Sequence, residues 1–292
     1  MRYLITGGTG SLGHALVPVL LKVRGTERVV ILSRDEYKQA LMRDEFPDPR
    51  LELILGDVRD QARMELAMGE QPDVIIHAAA LKRVDSVARD PDEVFKTNVL
   101  GTRNTLHAAL NSRRVVPKFL LISSDKACQP LNSYGISKAM AEQLTLGFNT
   151  YSMNRGMICG VVRYGNVLDS RGSVLEVWKR QVAQGQLLTL TDPGMTRFAI
   201  TLSEAVDFIR SQLLLLNHSS EKRVFIPTLP CFRVVDLLQA FMHKKNLLTH
   251  PYVITGLRPG GEKLHEVLDI DPLVSSDAGP FLSIQELQEK IT

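Results

Sequence analysis

The stretch that decides the fold is TGGTGSLG, residues Thr6 to Gly13. It follows a short apolar run, YLITG, and it opens a helical pattern, LGHALVPVLL. Its glycines at 7, 10 and 13 suit a tight turn, close backbone approach to a pyrophosphate and close packing of a helix on a sheet. The plain alternative is a glycine-rich structural turn. The strand-turn-helix context predicts a dinucleotide site, with contacts from Gly7, Thr9, Gly10, Ser11, Leu12 and Gly13.

Outward from this turn, the first 165 residues alternate two kinds of pattern. Short runs of branched apolar residues, typical of strands buried on both faces, occupy 3–7, 28–33, 51–55, 73–79, 118–123 and 158–163. Longer segments with helical spacing lie between them, for example 93–112 and 134–149. This alternation predicts an α/β fold with a doubly wound parallel sheet, of the Rossmann type. We assign residues 1–165 to an NADP-binding domain that carries the catalytic residues.

Beyond residue 165 the pattern becomes mixed. We predict helices at 174–183 and 234–243, and a third that begins near Ser203, a candidate N-cap. Strand-like runs cover 187–191 and 252–256. Residues 166–292 are therefore expected to form a smaller, mixed α/β part that binds substrate and is interleaved with the first part across a cleft.

Composition excludes several classes of protein. The chain has 292 residues, 44% of them hydrophobic, and a net charge of +3. No basic block points to nucleic acid, and no apolar run is long enough for a membrane span. The N-terminus enters a strand directly, without the pattern of a signal peptide. The three cysteines lack metal-binding or paired-bridge spacing, so we expect a cytoplasmic protein without a metal site.

The end of the second strand indicates which cofactor is bound. Ser33 and Arg34 suit a 2′-phosphate and favour NADP, whereas Asp35 could instead hold the ribose hydroxyl of NAD. Asp57 and Val58 follow the third strand, where Asp57 could accept a hydrogen bond from the adenine amine. An aspartate that caps its own turn is an equally ordinary explanation for Asp57.

Tyr134 and Lys138 lie one helical turn apart, so their side chains share a face. A nearby ammonium lowers the pKa of a phenol from about 10 and favours the phenolate. Tyr134 is thus predicted to take a proton from a substrate alcohol while hydride leaves for a nicotinamide. The alternative is a surface pair, since Y-x-x-x-K arises by chance in many helices.

A second acid and amine, Asp125 and Lys126, directly follow the strand at 118–123 and the hydroxyl of Ser124. A simple alcohol oxidation needs only the Tyr-Lys pair, so the extra pair indicates a further proton transfer. Burial is expected to raise the pKa of Asp125, as an acid requires, and desolvation to lower the pKa of Lys126. The alternative is a solvated turn without chemistry.

The chain resembles the extended short-chain dehydrogenases/reductases. Within them it is similar to the UDP-N-acetylglucosamine 4,6-dehydratase (5-inverting) group of polysaccharide biosynthesis proteins. The resemblance covers almost the entire chain. The motifs that carry it are TGGTGSLG, SRDEYKQ, GDVRD, HAAALKRVD, KTNVLGTRN, SSDKA, YGISK, VRYGNVLDSRGSV, LTLTDPGMTRF and GLRPGGEKLHE.

The resemblance implies a hydro-lyase reaction in which the cofactor is recycled. Tyr134 would deprotonate the C4 hydroxyl of UDP-GlcNAc as hydride moves to NADP. The C4 ketone acidifies the C5 hydrogen, which Lys126 would remove while Asp125 protonates the departing C6 hydroxyl. Hydride then returns to C6 and a proton reaches C5 from the opposite face. The product is UDP-2-acetamido-2,6-dideoxy-4-hexulose, and Ser124 and Lys138 complete the catalytic set.

The resemblance also implies the remaining contacts. Further cofactor contacts are Ala78, Ala80, Lys82, Tyr134, Lys138 and Val167. Substrate contacts are Lys82, Asn166, Arg171, Gly172, Ser173, Val174, Thr189, Arg197, Arg258 and Glu262. Two polar residues are expected to be structural: His77 as a buried, hydrogen-bonded histidine, and Asn98 as a link between strand and helix around the site.

Three departures from the common family pattern bear on these assignments. Ser124 replaces a threonine but keeps its hydroxyl, and the extra glycine at 260–261 lengthens the turn before Glu262. Tyr134 stands where membrane-bound, C5-retaining relatives carry Met, which favours the inverting type. The alternatives are a nucleotide-sugar C4 or C5 epimerase and a non-catalytic NADP-binding protein. Relatives assemble as dimers or hexamers, so a homo-oligomer is expected.

Overall fold

The computed structural model describes residues 1–82, 89–217, 223–257 and 261–291. Its strands are β1 (Arg2–Thr6), β2 (Arg28–Ser33), β3 (Leu51–Leu55), β4 (Val74–His77), β5 (Lys118–Ile122), β6 (Ile158–Val162), β7 (Asn166–Val167), β8 (Leu188–Leu190), β9 (Thr196–Ile200), β10 (Val224–Phe225), β11 (Cys231–Arg233), β12 (Tyr252–Ile254), β13 (Val267–Ile270) and β14 (Leu273–Ser275). Its α-helices are α1 (Ser11–Leu21), α2 (Glu36–Glu45), α3 (Gln61–Ala67), α4 (Pro91–Val94), α5 (Gly101–Asn111), α6 (Ser133–Ser152), α7 (Val174–Ala183), α8 (Leu202–Leu215), α9 (Val234–Lys244) and α10 (Ile284–Lys290).

A parallel sheet of seven strands forms the centre, in the order β10-β6-β5-β4-β1-β2-β3. Successive side chains of β1 point to opposite faces, so Leu4 packs into one core cluster and Tyr3 and Ile5 into the other. The predicted doubly wound sheet is confirmed. The strand order reverses between β1 and β4, and in such sheets ligands bind beyond the carboxyl ends of the strands at this point.

Residues 166–292 contribute a strand and a helix to the fold of residues 1–165. Strand β10 extends the main sheet beside β6, and α8 packs on α1 through the same core cluster that covers β1. A separate core around Trp178 and Phe241 holds α7 and α9 together. The start of α8 differs from the prediction: Thr201 is its N-cap and forms a capping box with Glu204, so Ser203 lies inside the helix.

The helical segment predicted at 93–112 is divided into three pieces. A π-helical turn, Phe95–Leu100, separates α4 from α5. Such wide turns occur mostly at functional sites, and this one carries Asn98 toward the cleft. A Cβ at Gly101 would lie 2.6 Å from Val58 Cγ2, so this glycine lets α5 approach the loop after β3.

Within the part of the chain that the structure describes, no helix combines the length and hydropathy that crossing a lipid bilayer requires.

Candidate active site

A cavity of about 360 Å³ opens at the carboxyl ends of β1, β2 and β3. Its floor is the glycine turn. Gly7 has φ +67°, and a Cβ there would lie 2.7 Å from Ala79 Cα, so only glycine lets β1 and β4 close at this point. At Gly13 a Cβ would lie 2.2 Å from the carbonyl oxygen of Gly8, so this glycine lets the helix pack on its own turn. The turn is therefore shaped to receive a pyrophosphate at the start of α1.

Most of the predicted cofactor residues line this cavity: Gly7, Thr9, Gly10, Ser11, Ser33, Arg34, Asp57, Val58, Ala80 and Lys82. Leu12, Ala78 and Val167 instead pack against the core beneath it, and Gly13 is buried. Asp35, Lys38 and Thr97 also line the cavity. The site thus has the shape and the hydrogen-bonding groups for a dinucleotide.

Two ion pairs, Asp35 with Lys38 and Arg34 with Asp57, lie at the far end of the cavity. Asp35 caps α2, since its carboxylate accepts from the backbone N–H of Lys38 at 3.0 Å and from Lys38 Nζ at 2.5 Å. Arg34 Nη1 lies 3.7 Å from Asp57 Oδ2. Asp57 also accepts from the N–H and Nε of Arg59 at 3.0 and 2.9 Å, so it caps its own turn while facing the cavity.

Arg171 extends across the glycine turn from the second half of the chain. Its guanidinium donates to the carbonyl of Thr9 at 3.2 Å, and its backbone N–H donates to Ser11 Oγ at 3.2 Å. Arg171 lines the cavity, and its expected contact with the substrate stays a prediction.

Beyond β5, the chain turns sharply and presents the predicted catalytic residues. Ser123 donates to Glu142 at 2.5 Å and is buried, whereas Ser124 caps a 3₁₀ turn, Asp125–Ala127, by accepting from the N–H of Lys126 at 3.2 Å. Asp125 has no exposed surface. Ser124 Oγ donates to Asp125 Oδ1 at 2.9 Å.

Lys126 lies between two carboxylates. Its Nζ is 3.1 Å from Asp125 Oδ1 and 3.1 Å from Glu266 Oε1. Burial alone lowers the pKa of Lys126, but the charges of Asp125 and Glu266 outweigh burial and raise it above the ordinary value. The expected lowering of the pKa of Lys126 is therefore wrong for the protein without substrate, because sequence reasoning included desolvation and omitted Glu266.

Asp125 has the raised pKa that a general acid requires. Burial raises its pKa, the charge of Lys126 lowers it, and the charge of Glu266 raises it further, with a net increase. The prediction of a raised pKa for Asp125 is confirmed. Its Oδ2 is buried and has no hydrogen-bond partner among the described residues.

Tyr134 and Lys138 are brought beside this turn by α6, and both are buried. Lys138 Nζ donates to the carbonyl of Ile122 at 2.5 Å, and burial lowers the pKa of Lys138 to about 8. Burial raises the pKa of Tyr134, and the charge of Lys126 and a hydrogen bond with Ser124 offset only part of this rise. The expected lowering of the pKa of Tyr134 by Lys138 is not found, because that ammonium is directed to a backbone carbonyl.

The two polar residues predicted to be structural have that role. His77 is bonded through Nδ1 to Thr6 Oγ1 at 2.8 Å and through Nε2 to Thr102 Oγ1 at 3.2 Å, and burial lowers its pKa to about 3. Asn98 accepts from the N–H of Leu81 at 2.8 Å and donates to Ser137 Oγ at 2.9 Å. It thereby ties the loop after β4 to α6.

The predicted substrate residues after β6 have different surroundings. Asn166 Oδ1 and Ser173 Oγ are buried without hydrogen-bond partners among the described residues, as suits groups that receive a ligand. The N–H of Gly172 donates to Glu176 at 2.6 Å. Thr189 Oγ1 accepts from Gln181 Nε2 at 3.0 Å. Val174 begins α7.

The guanidinium of Arg197 is hydrogen-bonded to backbone carbonyls of the protein itself. It donates to the carbonyls of Thr196 at 2.7 Å, Leu264 at 3.1 Å and Lys263 at 3.0 Å, and it lies 3.6 Å from Glu262. These bonds anchor the segment that includes Glu262 against β9. Arg258 and Gly260 lie outside the described residues.

The comparisons with known proteins agree with this geometry. Residues 3–280 match the model of a family described as polysaccharide biosynthesis protein. The chain belongs to this family.

Two curated relatives, with similar identity to this chain, carry the names of different enzymes. The chain is 40% identical, over 94% of its length and 77% of the relative, to UDP-N-acetylglucosamine 4,6-dehydratase (inverting) of Campylobacter jejuni. It is 36% identical, over 94% of its length and 79% of the relative, to a UDP-glucose 4-epimerase of Rickettsia rickettsii. Among solved structures, Pen from Bacillus thuringiensis is similar with a TM-score of 0.91 and 29% identity, covering 99% of this chain and 95% of that chain.

In this polysaccharide biosynthesis protein, sequence reasoning missed Glu266, Lys263 and Lys38. The first two belong to the GLRPGGEKLHE motif, but nothing local to that motif indicates which of its charged side chains reaches Lys126. Lys38 follows SRDE one helical turn beyond Asp35, and that spacing is the signal that could have identified its pairing.

Proposed function

We propose that the protein is an NADP-dependent hydro-lyase that converts UDP-GlcNAc to UDP-2-acetamido-2,6-dideoxy-4-hexulose with inversion at C5. The observation that carries this proposal is the constellation of Asp125, Lys126 and Tyr134 beside a dinucleotide cavity. The name of the Campylobacter jejuni relative supports the substrate and the stereochemistry. The four-residue separation of Tyr134 and Lys138 alone would support any alcohol oxidation.

A bound nicotinamide would accept hydride from C4 and return it to C6, so the reaction has no net redox change. Tyr134 would act as the phenolate, its own proton having been released to solvent, and would then take the proton of the C4 hydroxyl. Its hydrogen bond with Ser124 helps to orient the tyrosine oxygen. Lys138 is held on the carbonyl of Ile122, so the cation that favours the phenolate of Tyr134 in this structure is Lys126.

Elimination requires one base and one acid beside the C4 ketone. Lys126 would release a proton to solvent, to which 22% of its side chain is exposed, and then take the C5 proton. The electron pair of the C5–H bond becomes the C5–C6 double bond as the C6–O bond breaks. Asp125 would give its proton to the departing oxygen, which leaves as water. When hydride returns to C6, C5 would take a proton from solvent on the face opposite to the one from which Lys126 removed it, which inverts C5.

The lining of the cavity has more basic side chains than acidic ones, four against Asp35 and Asp57, and this excess supports NADP over NAD. The carboxylate of Asp35 is engaged by Lys38, whereas Arg34 and Lys38 both face the cavity where a 2′-phosphate would lie. Arg171 adds a third positive charge to the same lining. Arginine suits phosphate because its planar fork forms paired hydrogen bonds.

The second candidate is a nucleotide-sugar epimerase, and the name of the Rickettsia rickettsii relative favours it. A C4 epimerase needs oxidation and re-reduction at one carbon, for which Tyr134 and the cofactor suffice. The buried Asp125 and the shared Lys126 would then have no chemical step, so we place dehydration first. A cytoplasmic location and a homo-oligomeric state remain predictions.

The test is incubation of the purified protein with UDP-GlcNAc in deuterated water, followed by NMR and mass spectrometry. Dehydration predicts loss of one water, a C6 methyl group and deuterium at C5. A parallel reaction in ordinary water, followed by reduction of the C4 ketone, restores hydrogens at C4 and C5, and their coupling reports inversion or retention. Conversion to UDP-GalNAc without loss of water would establish the epimerase. An unchanged sugar would refute UDP-GlcNAc as the substrate.

A further inference from the structure

Glu266 is a buried carboxylate in the catalytic centre to which the proposed mechanism assigns no step. It lies directly before β13, and only 2% of its side chain is exposed. Its backbone is fixed on both sides, since its N–H donates to Ser276 Oγ at 2.8 Å and its carbonyl accepts from the N–H of Ser276 at 2.9 Å. The carboxylate is therefore held in place before any substrate binds.

The two carboxylates that share Lys126 have unequal surroundings. Besides Lys126, Glu266 has Lys263 Nζ at 3.4 Å and Arg197 Nε at 4.0 Å. Asp125 has a single cation, Lys126, and the neutral hydroxyl of Ser124, both on Oδ1. Each carboxylate has one buried oxygen without a hydrogen-bond partner among the described residues, Oδ2 of Asp125 and Oε2 of Glu266, so the two differ in the number of cations around them.

Elementary electrostatics assigns different charges to these two groups. A buried carboxylate with three cations within 4.0 Å is stable when ionised, whereas a buried carboxylate with only one, which it shares, is stabilised much less. When the environments of two neighbouring titratable groups differ in this way, one group becomes the acid and the other keeps its charge. The pKa of Glu266 is indeed lowered, because Lys126, Arg197 and Lys263 together outweigh its burial.

We propose that Glu266 is a positioning residue of the dehydration site, whose fixed negative charge holds Lys126 and lets Asp125 keep the proton that the leaving C6 oxygen receives. The inference rests on the proposed function for the fate of that proton. Oδ2 of Asp125 then carries the hydrogen, and the substrate supplies its missing partner. Without Glu266, Asp125 would be the remaining carboxylate on Lys126 and would ionise to pair with it.

The first test needs no substrate. The carboxyl groups of Asp and Glu are labelled with ¹³C and titrated by NMR in wild type, E266Q and E266D, and Asp125 is assigned by its absence in D125N. We expect the pKa of Asp125 to fall by about one unit or more in E266Q and to stay near the wild-type value in E266D, which keeps the charge. An unchanged pKa of Asp125 in E266Q would overturn the proposal.

The wild-type protein provides a second criterion if E266Q does not fold. The proposal requires Asp125 to bind its proton at a higher pH than Glu266, and the reverse order would refute it. The titratable and charged groups that face the pair from neighbouring elements are Tyr134 on α6, Arg197 on β9, and Glu262 and Lys263 before β13.

Turnover gives the third readout. Loss of the Glu266 charge lowers the pKa of both Asp125 and Lys126, so the pH profile of kcat in E266Q should move to lower pH by about one unit, a tenfold change at a fixed pH on a limb. A merely structural role would reduce kcat without moving the profile. If the titrations behave as expected but UDP-GlcNAc is not dehydrated, the proposed function fails and the charge assignment stands.

Discussion

The substitution Asp125→Asn tests whether oxidation at C4 and loss of the C6 hydroxyl depend on different residues. Asparagine has nearly the same volume, and its amide oxygen can still accept from Ser124 and Lys126, whose atoms lie 2.9 and 3.1 Å from Oδ1. What the variant lacks is the transferable proton. Tyr134, Lys138 and the cofactor cavity are untouched, so oxidation at C4 should continue while loss of the C6 hydroxyl should not.

The magnitude follows from burial. Asp125 has no exposed surface, so bulk water cannot take its place as the acid. Loss of a general acid lowers a rate by about 10²–10⁴-fold, which is roughly 3–5 kcal/mol of barrier at 25 °C. We therefore expect kcat for dehydration to fall by about that factor, with a much smaller change in KM.

The assay follows two signals in one reaction. Absorbance at the wavelength of reduced nicotinamide reports oxidation at C4, and mass spectrometry reports loss of water. The variant should accumulate reduced cofactor with intact sugar, which wild type does not. The matched control is Ser124→Ala, which keeps the acid and should reduce both signals together. Wild-type rates of water loss in Asp125→Asn would refute the assignment of Asp125 as the acid.

Three further predictions concern the cofactor, acid stability and the turn before Glu266. Arg34→Ala should reduce the preference for NADP over NAD by about tenfold, since a hydrogen bond to a charged group contributes roughly 1.5–3 kcal/mol. The measurement is the ratio of the dissociation constants of NAD and NADP, and the same ratio in the variant as in wild type would contradict the prediction. The pKa of His77 is lowered from 6.5 to about 3, so the unfolded chain binds its proton first as pH falls. The free energy of unfolding should therefore decrease as pH falls below 6.5, by about 2 kcal/mol at pH 5. Urea unfolding of His77→Gln should lack this part of the decrease. At Gly261, where φ is +90°, a Cβ would lie 2.5 Å from the carbonyl oxygen of Leu131. Gly261→Ala should thus lower thermal stability by more than Gly156→Ala, which has φ +87° and open space; equal losses would show that backbone conformation alone matters.

Much of the catalytic centre could be located from the sequence because its members follow strand ends. Asp125, Lys126 and Tyr134 come directly after β5 and at the start of α6, and local order along the chain places them together. Their protonation could not be predicted in the same way. Burial in the folded protein dominates the pKa of Tyr134, and the pKa of Lys126 depends on Glu266, which comes from a distant part of the chain, as well as on its neighbour Asp125.

The start of α8 was also not determined by local sequence, which favoured Ser203 as the N-cap where the structure has Thr201. Both hydroxyl residues precede an apolar helical pattern, and propensity alone does not separate them. The reciprocal bonds between Thr201 and Glu204 decide the start of the helix. Arg197 likewise has the side chain of a phosphate ligand, but carbonyls of Lys263 and Leu264 occupy its donors.

The sequence by itself determined the parallel sheet and the glycine turn, and it was enough to propose the acid-base residues. These features follow from periodicity, glycine spacing and neighbours along the chain, which are local properties. Only the tertiary structure decided that Lys126 lies between two carboxylates, and that Glu266 rather than Asp125 is surrounded by cations. The physical reason is that burial and Coulomb energy depend on distances in space, and folding brings β13 against the turn after β5.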